Sequence, residues 1–396
     1  MAYKGDRGRW LPPPGLGGGL ARLTIGVVVL LAATVGMALS VAWPYADNLV
    51  KIGHGVAYYE RASLVAPDRV RLPSPGEADW AGRFELAWDG GYGEMGAIVS
   101  RGDGFVVRTF TPRQGTLAPN TPVRVDTYYY EGDPRSALGL DFQNVTYHDE
   151  LGDFPAWYVP AGDARTTWLI FVHGHNGYPK ESLRYLRALH AAGMPVLVPT
   201  YRNDVGAPAS PDGVSHLGDT EWQDVEAAMH WALDHGARDV VLAGLSMGGT
   251  IAMQAADRAD VKDRVRGVVL DSPVLTWDDV LLSQAAMGGV PTIQARLAMV
   301  LLRLRYGIDF ARFDWPARSQ DLKAPILILH SDEDGYVSDK PDKQLAARRP
   351  DLVTLELLKG AGHTQGWNMD PAGYERRLVA WLTAQGAAHP SAPADG

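Results

Sequence analysis

One serine carries the strongest chemical signal in this chain. Gly244-Leu245-Ser246-Met247-Gly248 sets a hydroxyl between two glycines, after the aliphatic run Val240-Val241-Leu242-Ala243 and before the helical pattern Ile251-Ala252-Met253-Gln254-Ala255-Ala256. A strand that turns sharply into a helix exposes its apex side chain, and glycine at 244 and 248 removes Cβ atoms that would clash there. The helix that follows aims N–H groups and the positive end of its dipole at the same point. A serine hydroxyl is a weak nucleophile and needs a base to take its proton. Downstream, Ile326-Leu327-Ile328-Leu329-His330 reads as a buried strand followed by Asp332 and Asp334. Val353-Thr354-Leu355-Glu356-Leu357-Leu358 reads as another, ending in Gly360-Ala361-Gly362-His363. The chain order is then Ser, Asp, His. In such a set His363 takes the serine proton and returns it to the leaving group, while an aspartate fixes the imidazole tautomer and stabilises the imidazolium.

These groups need a scaffold that brings strand ends together. Trp168-Leu169-Ile170-Phe171-Val172 is wholly apolar, as a central parallel strand should be. A helix is expected over 179–192 with Gly193 as its stop, then a strand over 196–199. A second helix is expected over 219–235 with an acidic first turn, then the serine strand, its helix, and a strand over 267–271. A hairpin over 142–147 and 155–159 opens the region. Repeated strand–helix units imply a mostly parallel sheet with helices on both faces and a site at the strands' C-terminal ends. Ser246, His175, Asp334 and His363 all fall at such ends. Residues 274–318 interrupt the alternation with two helical pieces broken at Gly288-Gly289-Val290-Pro291. A last helix covers 374–383, and residues 386–396 read as a disordered tail.

With its three motifs in this order, the chain resembles the α/β-hydrolase superfamily. The likeness is to the bacterial serine-hydrolase branch related to prolyl-oligopeptidase-like and acyl-ester hydrolases, and it covers about residues 141–384. The family's acid segment is matched by His330, Ser331, Asp334 and Val337, with Ser331 in place of the usual Gly and Ser338 in place of the usual Pro. That match favours Asp334 as the acid, and the two departures leave Asp332 as its rival. The resemblance implies that residues 274–318 form a helical cap and that His173-Gly174-His175 is the oxyanion loop. By position, the backbone N–H groups of His175 and Met247 would hold the developing oxyanion, and His173 would orient the loop. The other reading of His173 and His175 is a metal pair, for which no third ligand shows at suitable spacing. No cofactor and no metal are implied.

The chain has 396 residues, room for one catalytic domain and a smaller unit. With 46% hydrophobic and 21% charged residues it has the makings of a sizeable core. A net charge of −9 speaks against nucleic acid as a partner, because phosphate binding needs a basic face. Without cysteine there is no disulfide, thiolate metal site or cysteine nucleophile. Residues 23–43 hold no charge and suffice to cross ~30 Å of hydrocarbon as a helix. Lys4, Arg7, Arg9 and Arg22 precede them, which keeps residues 1–22, an unstructured tail, in the cytoplasm and sends the rest across. Trp43 and Tyr45 would anchor the far interface and Pro44 would end the helix. The competing reading is a signal peptide cleaved after Ser40-Val41-Ala42, but the apolar run exceeds the usual h-region. Residues 56–140 form a small β-rich module with expected strands at 84–88, 97–99, 104–110 and 123–128, too short for a β-propeller. Tyr128-Tyr129-Tyr130 is read as half-buried strand.

The leading functional reading is a membrane-anchored, extracytoplasmic serine hydrolase of carboxylic (acyl) esters, including lipid-like ones near the bilayer. The second is a peptidase acting on short peptides, for which Asp204, Asp212 or Glu221 could clamp a substrate amine. A third is a membrane scaffold that keeps the fold without the chemistry, and acyl transfer to an alcohol is a further possibility.

Overall fold

The computed structural model describes residues 17–55, 57–161 and 166–388, apart from the side chains of 17–22, 31, 32 and 35. The chain begins with one long helix, α1 (Gly17–Leu49), of 33 residues. It starts inside the stretch expected to be an unstructured tail, whose residues 1–16 lie outside the described residues. It also runs through Pro44, which was expected to stop it. Proline costs a helix one hydrogen bond, and here the face carrying Ala42 and Ala46, continued by Val50, is buried against the catalytic core and offsets that loss. The Tyr45 hydroxyl donates to the Leu281 carbonyl 2.7 Å away. Among the described residues, no helix is long and apolar enough to cross a membrane. The expected span 23–43 lies within α1, but the side chains of 31, 32 and 35 fall outside the described ones.

A closed six-stranded barrel follows, with strands β1 (Glu60–Ala66), β2 (Arg69–Pro73), β3 (Phe84–Trp88), β4 (Gly91–Gly102), β5 (Phe105–Gln114) and β6 (Thr121–Asp126) in the order β1-β2-β5-β4-β3-β6. Along β5, buried Val106, Arg108 and Phe110 alternate with less buried neighbours, as a strand with one inward face requires. The barrel encloses Val70, Leu72, Phe84, Leu86, Met95 and Val123. The expected β-rich module is thus narrower than 56–140. Tyr128, Tyr129 and Tyr130 are not strand: they follow β6 and, with the short helix α2 (Pro134–Leu138), pack against the catalytic domain.

That domain holds an eight-stranded sheet: β7 (Gln143–Asp149), β8 (Gly152–Val159), β9 (Thr167–Val172), β10 (Val196–Pro199), β11 (Asp239–Leu245), β12 (Val265–Asp271), β13 (Ile326–Ser331) and β14 (Val353–Leu358). Its order is β14-β13-β12-β11-β9-β10-β8-β7. The ladders from β10 to β14 are parallel, and β8 pairs antiparallel with both β7 and β10. Period-two alternation assigns each strand's side chains to two cores. Trp168, Ile170 and Val172 of β9 enter one, Leu169 and Phe171 the other. Helices α3 (Leu183–Ala191) and α10 (Pro371–Ala384) cover one face, α4 (Trp222–Asp234) and α5 (Met247–Arg258) the other. The interruption after β12 is a helical hairpin, α6 (Trp277–Met287) and α7 (Thr292–Tyr306), and α8 (Lys340–Arg348) and α9 (Gly366–Met369) complete the set.

Two boundaries differ from expectation for local reasons. Helix α4 begins at Trp222 rather than 219, because the Glu221 carboxylate is drawn back to the N–H groups of His216 and Gly218 at 2.7 and 2.9 Å. The tail is ordered further than expected: Ala387 and Ala388 are buried in the second core, and residues 389–396 lie outside the described residues.

Candidate active site

The turn between β11 and α5 is as tight as the sequence demands. A Cβ on Gly248 would sit 2.2 Å from the Val172 carbonyl oxygen, and one on Gly244 would sit 2.3 Å from that of Gly248. Ser246 itself takes φ 54° and ψ −118°. A non-glycine residue with positive φ stores strain, which persists only where the surroundings hold it. Here the Ser246 N–H donates to the Asp271 carbonyl at 2.9 Å.

Three side chains from three strand ends meet at this turn. Ser246 Oγ lies 3.0 Å from His363 Nε2, and His363 Nδ1 lies 2.7 Å from Asp334 Oδ2. The other Asp334 oxygen accepts the N–H groups of Tyr336 and Val337, each at 2.8 Å. Burial alone would raise the Asp334 carboxyl, but hydrogen bonds from His330 and His363 hold it well below the usual carboxylate range. Asp334 is therefore a fixed negative charge behind the imidazole. Asp332 is elsewhere: its Oδ1 accepts the Gly360 N–H at 3.0 Å and shapes the loop that carries His363. The Tyr336 ring leans on His363 with centroids 5.2 Å apart.

The loop after β9 passes directly over the serine, since a Cβ on Gly174 would lie 3.6 Å from Ser246 Cβ. The backbone N–H groups of His175 and Met247 donate to no acceptor among the described residues. Glu181 braces the loop, accepting from Gly174 at 3.0 Å and Tyr178 at 3.2 Å. His173 points away from the serine. Burial would lower its imidazole, yet the facing Asp204 carboxylate, 2.8 Å from Nε2, raises it to about 9. Its Nδ1–H donates to the Gly174 carbonyl at 3.0 Å, so His173 orients the loop and is spoken for as a metal ligand. Among the described residues, His173 and His175 belong to no cluster of potential metal ligands. Burial lowers the His175 imidazole, and His54 opposes its charge further. The three acids that could have clamped an amine are engaged in structure. Asp204 holds His173 and the Tyr201 N–H, Glu221 holds its own loop, and Asp212 faces His216 at 3.2 Å.

Several supports have no signal in the linear sequence. His330 bridges Asp334, 3.1 Å from Nε2, and Asp342 on Nδ1. Arg184 donates to the Thr364 carbonyl at 2.7 Å, next to His363, and to Asn368 Oδ1 at 3.0 Å. The segment after α1 straps the loop that follows β9: Gly53 N–H donates to Asn176 Oδ1 at 3.1 Å, and Asn176 Nδ2 to the Lys51 carbonyl at 3.2 Å. Tyr178 hydroxyl donates to the His54 carbonyl at 2.8 Å.

Comparison with known proteins covers both halves of the chain. Residues 169–377 match the family described as the alpha/beta hydrolase family, and residues 62–126 match a domain of unknown function (DUF8805). No curated protein matches the chain. Among solved structures, an esterase of Pyrococcus furiosus, Pf2001, is similar with a TM-score of 0.51 at 18% identity, covering 64% of this chain and 95% of that one. Est1E from Butyrivibrio proteoclasticus is similar at 0.46 and 16% identity, covering 62% and 99%. At such identities the likeness is one of fold.

Proposed function

We propose that this chain, which belongs to the alpha/beta hydrolase family, is a serine hydrolase that cleaves carboxylic esters through an acyl-enzyme. The observation that carries the reading is the relay Ser246 Oγ, His363 Nε2 and Nδ1, Asp334 Oδ2, with steps of 3.0 and 2.7 Å. Ser246 attacks the ester carbonyl while His363 takes its proton, and the charge that develops on the carbonyl oxygen is met by the N–H groups of His175 and Met247. His363 then protonates the departing alcohol. Water, deprotonated by the same imidazole, releases the acid and restores Ser246. Asp334 stays ionised throughout and keeps the imidazole oriented.

The ester reading is favoured over the peptidase reading because Asp204, Asp212 and Glu221 are committed to the scaffold. The accessory unit is a six-stranded barrel rather than a propeller, which supports reading the chain as an acyl-ester hydrolase over the prolyl-oligopeptidase-like alternative. We further place the catalytic domain outside the cytoplasm, held to the cell membrane by residues 23–43 with the basic N-terminus inside. The positive flank supports the orientation. The burial of Ala42, with Leu39 packed against the same core, speaks against cleavage after Ala42, because a cut there would remove both side chains from the packing.

The test is turnover of a p-nitrophenyl ester series, acetyl to palmitoyl, by the full chain in detergent, with aminoacyl anilides alongside. Ester turnover is expected, and Ser246→Ala should lower kcat by on the order of 10⁴-fold and abolish labelling by a fluorophosphonate. Preference for the anilides would move the reading to the peptidase. Absence of both turnover and labelling would leave the scaffold reading.

A further inference from the structure

Helices α6 and α7 form a hairpin whose root is fixed and whose tip is free. At the root, the Trp277 indole N–H donates to the Leu217 carbonyl at 2.9 Å, and the Tyr306 ring faces His216 at 6.4 Å between centroids. The start of α6 and the end of α7 therefore meet the same short loop. That root is also beside the nucleophile: Val274 N–H donates to the Ser246 carbonyl at 3.3 Å, and Thr250 Oγ1 donates to the Val274 carbonyl at 2.7 Å. The opposite end of the hairpin, from Met287 to Ile293, consequently projects away from the catalytic core. Helix α1 leaves the core alongside it. Leu39, Ala42 and Ala46 share a cluster with Ala298, Leu301 and Leu302 of α7, and the Arg305 guanidinium pairs with Asp47 and lies 4.2 Å over the Trp43 ring.

The outward face of α7 is not that of a water-facing helix. Ile293, Val300 and Leu304 follow the spacing 7, 4, which aligns them along one side, with the half-buried Leu297 at its inner margin against the core. Ile293 is 73% exposed, Leu304 77%, Val300 51%, and Met287 at the end of α6 62%. Ala295, Ala298 and Leu302 face the protein instead. Helix α7 carries Arg296, Arg303 and Arg305 and no acidic residue, in a chain of net charge −9. An apolar stripe flanked by arginines is what a helix needs to lie in an anionic lipid interface. Helix α1, packed beside α7, carries exposed apolar side chains of its own, among them Val28, Val29 and Leu30.

The geometry points to the α6–α7 hairpin as a second membrane-docking element, its Met287–Ile293 tip and outer α7 stripe seated in an anionic lipid surface beside α1, so that Ser246 receives acyl esters drawn from the bilayer. This rests on the reading that residues 23–43 anchor the chain. Lipid is the occupant rather than a second copy because the stripe adjoins the expected anchor and the charged residues of α7 are all basic, with Arg305 paired to Asp47 of α1. A soluble substrate would not need the hairpin tip, whereas an ester held in the bilayer would meet the hairpin whose root, at Val274, touches Ser246.

The chain has no cysteine, so single probes can be placed without background. The full chain would be reconstituted in phosphatidylcholine vesicles with phosphatidylglycerol, carrying an NBD label at Met287→Cys, Ile293→Cys, Val28→Cys or Asp103→Cys. Doxyl-labelled lipids are expected to quench the first three and leave the fourth, on the barrel, unaffected. Quenching at Val28→Cys without quenching at Met287→Cys and Ile293→Cys would overturn the hairpin proposal and leave the anchor standing. No quenching at Val28→Cys would overturn the anchor reading itself. A blue shift at the tip that depends on protein concentration and ignores the doxyl lipids would assign the stripe to a second copy and also overturn it. In a second arm, Ile293→Glu with Leu304→Glu should slow hydrolysis of a vesicle-borne phospholipid ester by at least about tenfold, with p-nitrophenyl acetate turnover unchanged. Equal loss on both substrates would mean a folding defect in place of lost docking, and equal retention on both would overturn the proposal.

Discussion

Nε2 of His330 lies 3.1 Å from the same Asp334 oxygen that faces His363, so the acid of the relay is held between two imidazoles. His330 is fully buried, and its other nitrogen faces Asp342. Burial by itself would depress its imidazole, but hydrogen bonds to Asp334 and Asp342 raise it to about 10, against about 6.5 for a free histidine. Because the folded value is the higher one, the stabilisation is complete below about pH 6.5 and fades as pH rises through about 10. We expect His330→Gln to flatten the fall of stability across that window and to cost about 3 kcal/mol near neutrality, since it strips a buried ion pair of one partner. Urea unfolding at a series of pH values measures both, and a slope equal to that of the unaltered chain would mean His330 is neutral.

The two candidate acids separate cleanly in kinetics. Asp334→Asn keeps the shape of the side chain but removes the charge behind His363 and favours the wrong imidazole tautomer. It should lower kcat by on the order of 10³–10⁴-fold with little change in KM. Asp332→Asn should leave kcat within about threefold, since the Asp332 side chain accepts the Gly360 N–H at 3.0 Å and no bond from His363. If Asp332→Asn were the more damaging, the relay would have to be redrawn through a different loop conformation.

The parts of this molecule that were readable in the sequence are those set by local rules. The Gly244-x-Ser246-x-Gly248 turn is one, because only glycine fits where a Cβ would meet a carbonyl oxygen at 2.2–2.3 Å. The βα alternation is another, since each central strand is apolar on both faces. What failed to show was set by distant partners. Strand β1 shows little alternation, and β2 alternates as Arg69-Val70-Arg71-Leu72 but is only five residues long; both are strands because the barrel closes, with β1 pairing β6 across the chain. Pro44 reads as a helix end until the buried face of α1 is known. His330 reads as the last residue of a strand, and only the packing of α8 brings Asp342 to it. Asp204 and Glu221 read as candidate clamps for an amine, yet they turn inward to hold backbone N–H groups.

The seam between barrel and catalytic domain should also respond to pH. Carboxyl oxygens of Glu85, Asp126 and Glu131 lie within 4.8 Å of one another. Lys180, beside the Glu181 that braces the oxyanion loop, reaches Asp126 at 2.8 Å and Glu131 at 2.6 Å. Burial, with the facing charges of Asp126 and Glu131, raises the Glu85 carboxyl to about 9. An acid whose folded value is raised holds its proton where the unfolded chain has lost it, so stability falls as pH climbs from about 4.5 to about 9. Glu85→Gln, which mimics the protonated form, should remove that decline and raise the melting temperature at pH 8 relative to the unaltered chain. A melting temperature that is lower for Glu85→Gln at every pH would mean the ionised carboxylate is what the seam requires.

Asn368 ties the barrel to the loop of the base. Its amide nitrogen donates to the carbonyls of Arg83 and Thr127, at 2.7 and 2.8 Å, and its oxygen accepts from Arg184 at 3.0 Å. Arg184 in turn holds the Thr364 carbonyl, one residue past His363. Truncating Asn368 leaves two carbonyls and part of a buried guanidinium without partners, at a cost of about 1–3 kcal/mol. Because the lost bonds lie behind the imidazole rather than at the serine, Asn368→Ala should lower kcat more than it raises KM. It should also loosen the barrel, seen as faster amide exchange in β3 and at Thr127 than in β11. If exchange quickened in β11 as well, the two domains would be unfolding as one cooperative unit and Asn368 would be an ordinary core contact. Selective exchange in the barrel with an unchanged kcat would separate the seam from the chemistry.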